Sequence, residues 1–588
     1  VRVRRVIAYL VMFVGTLTLC VLAAAALAYV MSSRGPAVPE RALLVLRPGG
    51  ELLEVPPDDV VGQLMGRESA TVRALTESLR NAQRDDRVAG VLLLPSSLDL
   101  PFWGKVQELR EALLEFRQSG KPVIAFLEYG GDREYYLASA ADHIFLLPTS
   151  PLDLTGVASY EVFLRGAFEK MGAYPDFVHV GAYKTAVNQF TEKGFTPEHR
   201  EMTESLTRDL YDQIVEHLAE AREKNVDEVR RLFDEGPFTP TAAHAAGLVD
   251  ELAYFDELDA RFEDLDLVEP DLPHLEEADY RGVTARSLGL RPQARIAVLY
   301  AAGVIASGDS SYDAVNGAIV GSDTIVEQLR RIREDDTIRA VVLRVDSPGG
   351  SSVASDVIWR ALTVTRDEEP SRPIVASMSD LAASGGYYIS MPADVIIAQP
   401  ATLTGSIGIF GGKIAIGDSL AKLGVGTETV RAGRNSTIDS PFEPFTPDQR
   451  QKLQGYMQTF YEGFVEKVAS ARQRTPAQID AVAQGRVWTG RQARERGLVD
   501  MLGGLDTAVA VAKERAGIPE DEEVELVSYP PPRTFYEALV EEFGGSGGGI
   551  WSLLAGRSEA RALAAVTAPV RVFRRGEPLA LMPFALVR

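Results

Sequence analysis

The chain repeats itself. The tetrapeptide GLVD stands at Gly247–Asp250 and again at Gly497–Asp500, 250 residues on. ESLRNAQRDDRVAGVLL resembles EQLRRIREDDTIRAVVL, with Asp85 and Asp86 matching Asp335 and Asp336 at the same offset of 250. YYLASAADHI at Tyr135 resembles YYISMPADVI at Tyr387, LTG at Leu154 matches LTG at Leu403, and ALLVL around Val45 resembles IAVLY around Val298, at offsets of 252, 249 and 253. Five matched segments in one order define a tandem pair of similar domains, with bounds expected at 37–290 and 291–525. A segment 1–36 precedes the pair and an appendage 526–588 follows it.

Each half has one coarse pattern. Apolar runs (LLVL, VAGVLLL, KPVIAFL and DHIFLLP, then IAVLY, IRAVVLRV, RPIVASM and DVIIAQP) alternate with charged amphipathic stretches such as Thr71–Arg84 and Asp323–Arg333. Strands that are apolar nearly throughout and separated by helices indicate an α/β fold with parallel strands covered on both faces. Longer helices, Pro197–Arg222 and Pro447–Arg472, close the two halves. In the appendage, Pro530–Pro532 and Gly544–Gly549 mark connections, and the apolar run from Leu579 to Phe584 is expected to pack on the body or on a neighbouring subunit.

Composition narrows the functions. With 61 Lys and Arg against 83 Asp and Glu, the net charge of −22 repels a phosphate backbone, and no basic stripe offsets it, so no nucleic-acid partner is expected. The one cysteine, Cys20, excludes a disulfide framework, a Cys-built zinc site and a catalytic thiol in the body. The six histidines all fall in the first half without an H-E-x-x-H pair, so neither metal nor cofactor is expected. Val6–Met31 is a 26-residue stretch without a charge, long enough as a helix to cross a hydrocarbon core about 30 Å thick. Arg2, Arg4 and Arg5 precede it and only Arg34 follows closely. The positive-inside rule then leaves the N-terminus in the cytoplasm and the body outside. A cleaved signal sequence is the competing reading.

Two glycine-rich turns in the second half carry the chemistry. DSPGGS, Asp346–Ser351, follows the run VVLRV, and SDLAASGGYY, Ser379–Tyr388, follows IVASM. At a junction of strand and helix the first helical N–H groups lack intrahelical partners, and glycine lets the backbone approach a ligand. Such turns are also ordinary structural punctuation with N-capping serines. The repeat decides between the readings. Aligned at offset 252, Asp132 stands where Ser384 does, the counterpart of PGG reads LPSSLDL, and VHVGAYKTAV aligns with VRAGRNSTID so that Lys184 stands opposite Ser436. One half offers a serine without the lysine and the other the lysine without the serine, as expected of one site split across two domains. The only G-x-S-x-G match, Gly544–Gly548, lies in the glycine-rich linker with no strand before it and is not a nucleophile elbow.

The strings LRVDSPGGS, SDLAASGGYYIS, PATLTGSIGIFGG and VGAYKTAV resemble the signal peptide peptidase A (protease IV) family in its long, duplicated form, from about Arg41 to about Glu525. The resemblance implies a fold of the Clp protease/crotonase superfamily with stacked ββα units in each half. It implies Ser384 as nucleophile, Lys184 as general base, the Gly350 and Gly385 amides as oxyanion donors and Ser406 as an orienting partner of the lysine. It further implies a homotetramer at the bacterial inner membrane, its body in the periplasm, acting on cleaved signal peptides and other apolar peptides. A crotonase-like acyl-CoA enzyme would leave the lysine–serine complementarity without a use, and an idle scaffold would leave both glycine turns without one.

Overall fold

The computed structural model describes residues 16, 38–55, 71–313, 317–531, 578–582 and 586–587. The expected anchor Val6–Met31 lies outside the described residues, Thr16 apart. Among the described residues no helix is long and apolar enough to cross a membrane.

The duplication is written into the sheets. In the first half the strand order is Glu251–Leu252, His143–Leu146, Val123–Leu127, Val88–Leu93, Ala42–Leu46 and His274–Glu276, all parallel. In the second half it is Met501–Leu502, Val395–Ala398, Ile374–Ala383, Ile338–Ser347, Ala294–Ala302 and Val524–Tyr529, again parallel. The two orders match position for position. Two of the second-half strands run to ten residues, Ile338–Ser347 and Ile374–Ala383. The C-terminal part of Ile374–Ala383 pairs with Leu403–Gly405, which carries Val487–Thr489 antiparallel at the edge. The turn expected over Ser379–Tyr388 is therefore strand as far as Ala383.

The repeated motifs are repeated joints. Asp85 follows helix Val72–Arg84 and accepts from the Arg87 backbone N–H at 3.0 Å, and Asp335 follows helix Ser322–Glu334 and accepts from Thr337 N–H at 2.9 Å. An aspartate here tightens the turn from helix into strand. Asp250 and Asp500, the last residues of the two GLVD motifs, accept from Ile144 N–H and Ile396 N–H, each at 2.8 Å. Their carboxylates also hold Arg222 and Arg472, at the ends of the long helices Pro197–Ala221 and Pro447–Ala471. The first tyrosine of each YY pair donates to a GLVD carbonyl, Tyr135 to Leu248 at 2.7 Å and Tyr387 to Leu498 at 2.9 Å.

A third, seven-stranded sheet joins the halves. Its order is Tyr174–Val180, Ile409–Ala415, Leu579–Leu581, Gly349–Ser351, Val304–Ala306, Gly317–Gly321 and Ser311–Asp313. The first strand belongs to the first half, and it pairs antiparallel with Ile409–Ala415 of the second from Tyr174 opposite Ala415 to Val180 opposite Ile409. The strand Leu579–Leu581 comes from the appendage and lies between Ile409–Ala415 and Gly349–Ser351. Further on, the backbone of Leu586–Val587 pairs with Ser159–Tyr160. The cores interlock as well: Ala401 is buried in the first-half core and Val178 in the second-half core.

The Tyr387 hydroxyl is buried, and losing it leaves the Leu498 carbonyl unpaired. Tyr387→Phe is expected to destabilise the second half by about 1–3 kcal/mol, read as a lowered midpoint in urea unfolding.

Candidate active site

Ser384 sits where strand Ile374–Ala383 ends and helix Gly385–Ser390 begins. Its backbone is at φ +56° and ψ −108°, a conformation that costs a non-glycine residue on the order of 1–3 kcal/mol. Two hydrogen bonds hold it there: Ser384 N–H donates to the Gly405 carbonyl at 2.8 Å, and Tyr388 N–H donates to the Ser384 carbonyl at 2.9 Å. The glycines after it are required by contact. A Cβ on Gly386 would lie 2.6 Å from the Ser347 carbonyl oxygen, and one on Gly385 would lie 2.7 Å from Ser355 Oγ.

Lys184 arrives from the other half. The strand Tyr174–Val180 runs along Ile409–Ala415 and ends opposite Ile409, three residues past Ser406. The chain then turns at Gly181 (φ +107°), Tyr183 N–H donates to the Gln484 carbonyl at 2.8 Å, and Lys184 opens the short helix Thr185–Val187. Its backbone lies against Gly485 (φ +78°), where a Cβ would come within 2.6 Å of the lysine Cα. The side chain is fully buried. Nζ lies 2.7 Å from Ser384 Oγ, 3.0 Å from Ser406 Oγ and 3.0 Å from the Ser406 carbonyl. All three are uncharged oxygens, so burial pushes the lysine well below its ordinary value.

Gly349 (φ +102°) and Gly350 (φ +158°) form the other wall. A Cβ on Gly349 would lie 2.7 Å from the Gly385 backbone nitrogen, so the two glycine turns meet in one place. The five residues expected to form the site, Ser384, Lys184, Ser406, Gly350 and Gly385, thus lie close together and are all buried. The counterparts have other tasks. The Asp132 carboxylate accepts from the backbone N–H groups of Thr155 and Gly156 at 2.9 and 3.2 Å, and Ser436 is exposed with its hydroxyl on the Gly433 carbonyl.

Beside the glycine turns lies a largely buried ion cluster that the sequence did not announce. The Arg344 guanidinium holds Glu54 through two bonds of 2.8 Å and Glu108 at 2.7 Å, and donates to Ser377 and Ser379. Lys105 Nζ sits 2.7 Å from Asp346 and 3.5 Å from Asp380, and Lys105 N–H donates to Asp380 at 2.9 Å. Asp346 in turn accepts from Leu381 N–H at 3.1 Å. Glu54, Lys105 and Glu108 come from the first half. Asp346 leads into the Gly349–Gly350 turn, and Asp380 stands four residues before Ser384. Burial opposes every charge here. It pushes Asp380 up even against the pull of Lys105, with the Asp346 carboxylate adding to the rise. Glu54 is driven the other way: burial pushes it up, but Arg344, Lys105 and the Ser379 hydroxyl together outweigh that and hold it down at about 2. No local signal marks Lys105 or Glu108, because what buries them lies in the opposite half.

The model of peptidase family S49 matches residues 115–269 and 366–519, once in each half. The chain belongs to peptidase family S49. It is 34% identical over 476 residues to "Serine protease SPPA, chloroplastic" of Arabidopsis thaliana, covering 80% of this chain and 70% of that one. It is 35% identical over 454 residues to "Protease 4" of Salmonella typhi, covering 75% and 71% of the two chains. "Protease 4" of Haemophilus influenzae is 30% identical over 471 residues, covering 76% and 73%. The protein is thus an S49 serine peptidase of the signal peptide peptidase type with a duplicated domain.

In this S49 peptidase, removing Lys105 strands the buried Asp380 carboxylate and the partly buried Asp346. Lys105→Met is expected to cost about 3–5 kcal/mol of stability. The triple variant with Asp346→Asn and Asp380→Asn is expected to recover most of it, as read by thermal unfolding.

Proposed function

We propose that this peptidase works through a Ser/Lys dyad shared by its two halves. The observation that carries the reading is the buried Lys184 Nζ, 2.7 Å from Ser384 Oγ with no counter-ion on it among the described residues. A neutral amine has two N–H donors and one lone pair. With its donors on the Ser406 hydroxyl and carbonyl, the lone pair is left for the Ser384 O–H. Lys184 then takes that proton as Ser384 attacks the scissile carbonyl. The backbone N–H groups of Gly350 and Gly385 receive the oxyanion, a service worth about 2.7–4 kcal/mol for each donor. The lysine returns the proton to the leaving amine, and water repeats the cycle on the acyl-enzyme. Ser406 orients the amine.

The matching strand orders support two domains of the Clp protease/crotonase type, over 37–290 and 291–525. The substrates are cleaved signal peptides and other apolar peptides. The charge-free stretch Val6–Met31 anchors the chain, with its N-terminus in the cytoplasm and the body in the periplasm. The duplication also supports a homotetramer. The repeat counterpart of strand Tyr174–Val180 is 426–432. It is exposed and carries Val430, and beside it stand exposed Leu423 and Val425. Such an exposed copy suits head-to-tail closure of a ring.

Ser384→Ala and Lys184→Ala are each expected to cut turnover of a quenched apolar peptide by about 10²–10⁴-fold or more without changing the circular dichroism spectrum. Because the amine must be neutral, kcat/KM is expected to rise with pH to a plateau, its midpoint well below the usual lysine value of about 10.4. Burying Lys184 also costs stability. A lowered folded pKa means the cost is full below that pKa and fades as pH climbs toward the unfolded value. Lys184→Met is therefore expected to abolish activity and raise the melting temperature at neutral pH.

A further inference from the structure

A stretch of extended chain already lies along the two glycine turns. The strand Leu579–Leu581 lies antiparallel between Gly349–Ser351 and Ile409–Ala415, with Gly349 opposite Leu581, Gly350 opposite Ala580, Ser351 opposite Leu579, and Phe410 opposite Leu579 on the other side. Met582 N–H donates to the Pro348 carbonyl at 2.8 Å and Ser352 N–H to the Pro578 carbonyl at 3.3 Å. By the alternation of an antiparallel ladder, Gly350 and Ala580 are then a pair that exchanges backbone hydrogen bonds, which puts the Gly350 N–H on the Ala580 carbonyl. That carbonyl oxygen lies 3.1 Å from where a Cβ of Gly385 would stand and 2.0 Å from where one of Gly349 would. It occupies the glycine cradle beside Ser384.

The side chains fit as well. Leu579 and Leu581 are buried with Ala186, Val187 and Phe410, just past Lys184. Met582 is buried with Ala383, Leu403 and Val487, next to Ser384. Ala580 is fully buried. Between residues 531 and 578 lie 46 residues, so no short connection forces this strand into the sheet. Lifting it out would leave a gap of two inter-strand spacings, about 9–10 Å, with unpaired backbone on both sides. Only another extended peptide restores those bonds.

We infer that residues 578–582 are a resident ligand of the substrate slot: a self-peptide with a small residue at the reacting carbonyl, flanked by branched aliphatic residues, which incoming peptides must displace. This rests on the reading of Ser384 and Lys184 as the dyad, and the slot takes peptides of that same pattern.

The test uses the full chain. Leu579→Asp with Leu581→Asp places charges in the apolar pockets and expels the strand. If the strand is seated 90–99% of the time, kcat/KM for an apolar peptide is expected to rise about 10–100-fold. A synthetic peptide of sequence PLALM is expected to inhibit this variant competitively. The opposite change is a lock. Phe410→Cys with Leu579→Cys, in a Cys20→Ser background, places thiols on facing residues about 4.5–5.5 Å apart at Cα, within disulfide reach. The oxidised enzyme is expected to lose turnover and regain it with reductant. A folded double-aspartate variant with unchanged kcat/KM, or an oxidised lock as active as its reduced form, overturns the proposal. Binding separates it from the dyad. With Ser384→Ala added to the double-aspartate chain, fluorescent PLALM is expected to bind by anisotropy at least about tenfold more tightly than to Ser384→Ala alone. Equal binding overturns the resident ligand even if the dyad stands, whereas an active Ser384→Ala removes the dyad and leaves the binding result intact.

Discussion

The site depends on one ladder, the seven paired positions of Tyr174–Val180 against Ile409–Ala415. Every register step fixes where the chain is delivered at its end, and a slip of one residue turns each side chain to the opposite face. With Val180 opposite Ile409, the following turn carries the lysine to Ser406 and Ser384. The ladder also makes the inter-half joint a sheet, so the two chemical partners ride on rigid backbone rather than on two domains that merely touch.

Around that joint the fold accepts several local costs. Ser384 is held at a positive φ, Lys184 is buried without a counter-ion among the described residues, and six ionisable side chains are packed beside the glycine turns. The ion cluster is a stiffener that spans the same boundary as the site. Asp346 and Asp380 lead into the two turns, and Lys105 fixes both to a helix of the other half. Charges that cost stability individually thereby hold two loops at a fixed separation, which reactions requiring prearranged donors need.

Much of this was legible in the amino-acid order. The repeated DD, YY and GLVD strings are the joints that set strand order, so their spacing revealed two copies of one layered unit. The absence of serine at Asp132 and of lysine at Ser436 pointed to a shared centre, and the structure brings Lys184 and Ser384 within hydrogen-bond distance. What stayed hidden depends on the partner half. Gly485 looks like any loop glycine until the lysine backbone is laid over it, and Glu54, Lys105 and Glu108 read as solvent-facing charges until the second half covers them. The apolar run near the end announced burial but not its place, because a three-residue strand has no periodicity long enough to name its neighbours.

Gly485 shows how far such dependence reaches. It carries no reactive atom and lies 301 residues from the lysine in the chain, yet a single methyl group there would occupy the space of the lysine main chain. Divergence at that loop is consequently policed by sterics alone: lineages in which the duplicated halves drift apart must keep this one spot bare, or the amine is evicted from beside Ser384 and Ser406 without any change to those three residues.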